Sequence, residues 1–297
     1  FETGRHYDAF CVFDADNLVH LDFLAVMNTR LMKGQKVLQG YLSAKNPVDT
    51  WVSGTFAIAF WTVNHLWHLG KYNLGLSSCL GGTGMCISAD IVREFGWGCD
   101  CLTEDMEFSM KCLSHGIRTC WVHDAIIYDE KPLTFMASWR QRKRWAQGQF
   151  DCSERYIPIL MKEGFKRHSI VVLDGIMQLL QNYFLLISAF YLVMTYINMF
   201  YPCFTVVLYN DALVPRQFWS VLGTIQYVLP LIVLLQIEVP AKIYLYWLIY
   251  PVFMYSWVPV TFLGWIHRHE KQWVHTIHTR SMQFQAASLT RKKEIDS

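Results

Sequence analysis

At 297 residues, 53% of them hydrophobic, 15% aromatic and only 17% charged, the chain is more apolar than a soluble domain usually is. Its formal net charge of +2, with no acidic or basic tail of the kind that suggests nucleic acid, points away from that class of partner. Nine cysteines without a Cys-x-x-Cys spacing, Cys99 and Cys101 being the closest pair, argue against a disulfide framework or a zinc site and read as thiols of a reducing compartment.

The apolar excess is uneven. Residues 1–168 mix charged and apolar positions as a globular domain does, whereas from Ile170 to His267 charges nearly vanish. The chain opens at Phe1 rather than Met and reads as lacking an N-terminal part, so the absence of a targeting segment carries no meaning.

In chain order, Phe10–Phe13 is a short apolar run ending abruptly in Asp14-Ala15-Asp16, the pattern of a buried parallel strand with functional residues at its carboxyl edge. Leu18, Leu21, Leu24, Met27 and Leu31 then recur at helical spacing up to Gly34, predicting a helix from Asn17 to Met32. Lys36 to Leu42 predicts a strand. Phe56 to Leu69, aromatic and nearly uncharged, predicts a helix that is buried or lies on a membrane surface.

Gly81-Gly82-Thr83-Gly84 followed by Met85–Ser88 predicts a turn entering a strand; a dinucleotide-type phosphate loop would need a different glycine spacing and a helix directly after it. Thr103 is placed to N-cap a helix running to Ser114 and closed by Gly116. Ile117–Val122 and Ala125–Tyr128 predict two short strands, and the alternation puts residues 1–130 in the α/β class.

From Leu133 to Phe150, Phe135, Met136, Trp139, Trp145 and Phe150 interleave with Arg140, Arg142, Lys143 and Arg144. Such a helix can lie in a membrane interface or pack between domains with a solvated basic face. Three apolar stretches follow, roughly 176–201, 218–237 and 243–266, each about long enough to cross a hydrocarbon core of ~30 Å. Basic residues around 140–167 place the first domain in the cytoplasm. Three crossings would then export a tail that is also basic (Arg268, Lys271, Arg280, Arg291, Lys292, Lys293), and a cytoplasmic tail is the preferred reading. Of the tail's histidines, His267, His269, His275 and His278 invite a metal reading, against which stands the absence of an acidic partner shell.

Three motifs carry chemistry. Departure of a diphosphate needs charge neutralisation, and a divalent Mg or Mn ion held by one or two carboxylates supplies it; Asp14 and Asp16 fit, although an Asp turn leading into Asn17 is the plainer account. Asp105 is the candidate general base for an acceptor hydroxyl, with Glu104 able to serve instead, and both also suit the start of a helix. At that helix N-terminus the Asp105 pKa is expected to be held low. Gln141, Arg144 and Trp145, spaced i, i+3, i+4, share one helix face: Arg for a diphosphate, Trp for the flat side of a sugar, Gln for hydroxyls, with a core or lipid-anchoring Trp145 as the competing role.

With Phe13-Asp14-Ala15-Asp16-Asn17, Gln39-Gly40-Tyr41, Leu102-Thr103-Glu104-Asp105 and Gln141-x-x-Arg144-Trp145, the chain resembles family 2 glycosyltransferases of the processive, membrane-embedded kind, the cellulose, hyaluronan, chitin and poly-N-acetylglucosamine synthases. Thr-Glu-Asp is closer to the cellulose and poly-N-acetylglucosamine types than to the hyaluronan type. The resemblance implies a GT-A nucleotide-sugar domain, N-terminally truncated (1–132), interfacial helices with the Gln-x-x-Arg-Trp box (133–175), transmembrane helices (176–266) and a basic cytoplasmic tail (267–297).

By the same resemblance Asp16 meets the metal, Asp14 the donor or metal, Asp105 is the base, Arg144 meets the diphosphate, and Trp145 with Gln141 lies beside the acceptor end. Trp273, Thr276 and Arg280 loosely match a segment that gates the donor site. The implied partners are a UDP-sugar, a polysaccharide acceptor, membrane lipid and accessory subunits, in a multi-pass protein of the cell membrane whose catalytic domain faces the cytoplasm. The family's earlier strands and its uracil pocket are absent from these residues. Two other readings are a non-processive transferase acting on a lipid-linked or protein acceptor, and a membrane transporter or scaffold whose motifs are incidental.

Overall fold

The computed structural model describes residues 6–200 and 216–270. Trp273, Thr276, Arg280, His275 and His278 lie outside the described residues, so the gating segment and half of the histidine group are not placed.

A five-stranded mixed sheet forms the centre: β1 (Ala9–Val12), β2 (Leu18–Val19), β3 (Val37–Ala44), β4 (Met85–Ser88) and β5 (Thr119–Asp129), in the order β1-β4-β3-β5-β2. Every residue of β3 is buried. It runs parallel to β5 and antiparallel to β4, and the β3–β5 register shifts at Gly40/Tyr41. That irregularity lets what reads in sequence as two strands, broken by His123-Asp124, continue as the single strand β5. With the sheet carrying helices, the chain is α/β.

The first strand differs from expectation. Instead of a buried parallel strand, β1 is an edge strand antiparallel to β4, with Cys11 and Val12 exposed. An apolar run of four has the same composition in either setting; its neighbours decide which it occupies.

The helix expected from Asn17 also starts later. Leu18–Val19 pair with Ile127 and Tyr128, and α1 begins only at Phe23 and runs to Met32. Phe23 and Met27 anchor α1 in the core while Leu21 and Leu24 remain 74% and 61% exposed. Gly34, with φ +82, ends it as expected.

Helix α2 (Trp51–Thr62) opens with a capping box between Thr50 and Ser53 and passes into a π-helical turn (Val63–His68) before α3 (Leu69–Asn73). Of the two settings open for this aromatic segment, α2 takes the buried one: Val52, Phe56, Ile58 and Trp61 pack on Tyr41, Trp121 and Tyr128 of the sheet. Helices α4 (Ala89–Phe95) and α5 (Glu104–Ser114) follow, and α5 is closed by Gly116 at φ +84. Then α6 runs 32 residues from Phe135 to Lys166, well past the expected end at Phe150, its start capped by the Thr134 hydroxyl on the Ala137 N–H.

Four apolar helices complete the described chain: α7 (Ile170–Phe200), α8 (Arg216–Gln236), α9 (Lys242–Tyr255) and α10 (Trp257–Ile266). Among the described residues two segments, Ile170–Met194 and Lys242–Ile266, are long and apolar enough to cross a membrane, and only 28% of the apolar 18-residue stretch of each is buried within the protein. The middle stretch contributes a shorter apolar helix, Val221–Gln236, so of three spans expected by composition two are of spanning length among the described residues. The last is interrupted at Ser256 between α9 and α10.

These helices share the core of the α/β domain. Val233 and Leu234 of α8 and Ile243, Tyr246, Tyr250 and Phe253 of α9 bury against α2, while α7 packs with α5 and α6 through Met110, Leu113, Leu160, Val172 and Leu179.

Candidate active site

Two acidic centres lie at the same edge of the sheet, and the Gly81–Gly84 turn connects them. The first is Asp14, Asp16 and Asp129, whose carboxylate oxygens fall within 4.8 Å of one another. Asp14 and Asp16 sit in the turn after β1, and Asp129 ends β5. The Thr83 hydroxyl accepts from the Asp14 N–H at 3.0 Å and donates to the Asn17 carboxamide oxygen. The Asn17 amide in turn donates to Asp16 Oδ1 at 3.4 Å and Asp129 Oδ1 at 3.3 Å. One asparagine thus spaces the two segments that bring the carboxylates together. An all-oxygen set of three carboxylates is the donor chemistry of a hard divalent cation such as Mg or Mn, so the residues fit one.

The second centre is Asp105, at the start of α5. Its Oδ1 accepts the Met106 N–H at 2.8 Å, and Gly82 comes so near that a side-chain carbon there would stand 3.4 Å from Asp105 Oδ2. Gly82 takes φ +80, a left-handed conformation that suits glycine, so the turn passes close to the carboxylate without covering it. Gln39 of β3 holds this turn from below, donating to the Thr83 carbonyl at 3.0 Å and accepting the Gly81 N–H at 2.8 Å. The turn is therefore a structural bridge between the two centres.

The Asp105 carboxyl does not stay low in pKa. Burial, and then the negative charge of Glu104, push it up from 3.8 to about 7, against the smaller opposing pull of the Met106 N–H, its own backbone and the Arg144 charge. Desolvation outweighs the helix N-terminus, which is the reverse of the expectation from sequence. The neighbouring Thr103 occupies the N-cap position, yet its hydroxyl makes no cap hydrogen bond. It packs instead against Gly148 of α6, where an added methyl group would lie 2.6 Å from Thr103 Oγ1 and 2.7 Å from its backbone nitrogen. The two helices can touch only because residue 148 has no side chain.

That contact brings the Gln-x-x-Arg-Trp face toward the acid. Arg144, one turn before Gly148, is close enough to bias Asp105 electrostatically. Arg144 Nε and Gln141 Oε1 are buried without a hydrogen-bond partner among the described residues. Such atoms cost free energy unless a ligand completes them. Trp145, half-buried, lies among Phe56, Phe60 and Trp257 at ring separations of 6.1, 6.3 and 6.5 Å, so it both packs and borders the site.

Two residues, one in the acidic cluster and one that anchors the helix of the Gln-x-x-Arg-Trp box, escaped the sequence reading. Asp129 had a usable signal: it follows an apolar strand run, as Asp14 does. Arg142, the neighbour of Gln141, had none. It is fully buried in a cage of Phe135, Phe253 and Trp257, 4.5–5.7 Å from their ring centres, and donates to Ser256 Oγ at 2.8 Å. It ties α6 to the break between α9 and α10.

Comparison with known proteins adds two matches. The family model described as "Glycosyl transferase family group 2" matches residues 9–265. The "Probable glycosyltransferase YdaM" of Bacillus subtilis (strain 168) is 26% identical over 144 residues, covering 48% of this chain and 34% of the relative. The chain thus matches only about a third of that relative's length.

Proposed function

Because the chain belongs to glycosyl transferase family group 2 and is a glycosyltransferase enzyme, we propose that it is a membrane-bound, inverting and processive one. In this reading it transfers a hexose or N-acetylhexosamine from a UDP-sugar to a growing β-linked polysaccharide. The observation that carries this reading is the contact at Gly148. It sets the Asp105 carboxylate of the sheet domain beside Arg144 on a helix that packs directly against the apolar segments.

Asp105 takes the proton of the acceptor hydroxyl as its oxygen bonds to the anomeric carbon, and the bond from that carbon to the donor's phosphate oxygen breaks. Arg144 Nε and Gln141 Oε1 complete their hydrogen bonds on the diphosphate and on acceptor hydroxyls, Trp145 lies against the acceptor ring, and burial, aided by the Glu104 charge, keeps the base protonatable near neutrality. A divalent cation held by Asp14, Asp16 and Asp129 would supply charge neutralisation to the leaving diphosphate. Catalysis faces the cytoplasm, with lipid around the outward-facing apolar helices.

The test gives membranes containing the protein labelled UDP-glucose or UDP-N-acetylglucosamine with Mg or Mn. Long product supports processive transfer, and single additions to a lipid-linked acceptor would replace it with the non-processive reading. Activity retained by Asp105→Asn would remove Asp105 as the base, and full activity under chelation would remove the metal.

A further inference from the structure

Directly beneath the three carboxylates lies a buried lysine for which the reaction itself has no use. Lys131 is 2% exposed, its ammonium 2.9 Å from Asp129 Oδ2 and 3.3 Å from the centre of the Phe60 ring. Sealed this way, it cannot reach a diphosphate in solvent. Burying an ammonium is costly, and it is tolerated where an anion and an aromatic face both meet it.

The backbone around it is equally fixed. Asn46, 1% exposed, accepts the Lys131 N–H at 2.8 Å and donates to the Lys131 carbonyl at 2.9 Å. Through its side chain Asn46 thus continues the β3–β5 pairing two residues past Ala44↔Asp129, where both strands have ended. Beside it a second buried pair, Lys45 and Glu130 at 2.9 Å, holds the Asp16 carbonyl through Lys45 Nζ at 3.0 Å.

Asp129 is therefore gripped on both oxygens, Oδ1 by Asn17 and Oδ2 by Lys131. A carboxylate has about four lone-pair sites, so two hydrogen bonds fix its plane and leave others able to meet a cation shared with Asp14 and Asp16. We propose that Lys131, clamped by Asn46, is a positioning residue that orients Asp129 as the third carboxylate of the cation site. This rests on the assignment of Asp14, Asp16 and Asp129 to a divalent cation. The outer-sphere hydrogen bonds of metal ligands commonly govern affinity in this way.

The two roles open to a lysine there predict opposite signs. A mere counter-charge repels the cation, so its removal tightens binding. A positioning group loosens the site when lost. The experiment titrates Mn²⁺ alone into the purified, detergent-solubilised protein and reads the free ion by electron paramagnetic resonance. Asp14→Asn serves as the control for the site, and thermal melting checks the fold.

Lys131→Met is expected to weaken Mn²⁺ binding about 10–100-fold, with Lys131→Arg recovering most of the affinity. Asn46→Ser, which removes the clamp and keeps the ammonium, is expected to weaken binding in the same direction and serves where Lys131→Met does not fold. Equal or tighter binding by Lys131→Met, with Asp14→Asn weakened, overturns the positioning role. Unchanged binding by Asp14→Asn instead overturns the cation site itself, and the proposal with it.

Discussion

Asp105 carries a conflict between folding and chemistry. With its carboxyl pushed up to about 7, ionisation is disfavoured by the fold, so this group stabilises the protein fully below its ordinary 3.8 and loses that contribution as pH rises through about 7. Asp105→Asn is therefore expected to stabilise the protein at about pH 8 by on the order of 1–2 kcal/mol after allowance for its partial exposure, read as a higher melting temperature. Near pH 4 it should change little. Transfer should nevertheless be abolished. A base must be ionised to work, so in the parent enzyme kcat/KM is expected to climb with pH and level off above an apparent value near 7. A profile flat across about pH 5–9 would contradict that.

Between elements, the closest dependence is that of α5 on α6. A Cβ at residue 148 would collide with the Thr103 backbone as well as its side chain, so rotamer changes alone cannot relieve it. Gly148→Ala is expected to displace the start of α5 and reduce kcat about 10–100-fold, since misplacement on the scale of 1 Å costs about that much. The destabilisation should be about 1–3 kcal/mol, typical of overpacking, measurable as a shifted melt in detergent.

The junction of α6 with α9 and α10 depends on Arg142 in a different way. Its guanidinium meets ring faces and a serine hydroxyl, and burial lowers its pKa to about 10. Arg142→Ala should cost about 2–5 kcal/mol by opening a cavity. Arg142→Met, which fills the cage without a charge, should cost much less.

At the scale of the molecule, the candidate site and the described apolar helices share one packed core. Phe56 of α2 touches Phe253 of α9 edge-on at 5.1 Å, and the same helix touches Trp145. Outward, Phe184, Ile187, Phe190 and Val193 of α7 are 46–63% exposed along a segment of spanning length. Buried in lipid, they should keep the protein in the membrane pellet after alkaline carbonate extraction. Release into the supernatant would contradict the membrane reading. Ile187→Lys together with Phe190→Lys, each costing about 2.5–3.5 kcal/mol at a span centre, should lower the fraction retained, with the Lys242–Ile266 segment still holding the remainder.

Local features of the sequence determined much of this: the apolar run ahead of Asp14-Ala15-Asp16, the turn into β4, the helix from Glu104 closed by Gly116, and the i, i+3, i+4 face of Gln141, Arg144 and Trp145. Each depends on contacts within a few residues, where periodicity and turn chemistry operate. What depended on partners distant in the chain was decided only by tertiary structure. β1 takes its direction and edge position from β4, its paired residues lying 73–79 positions later in the chain. Asp129 joins Asp14 and Asp16 through Asn17, 112 residues before it. The Asp105 carboxyl rises where its helix position alone would lower it, because burial is set by what packs over a residue and not by its neighbours in sequence.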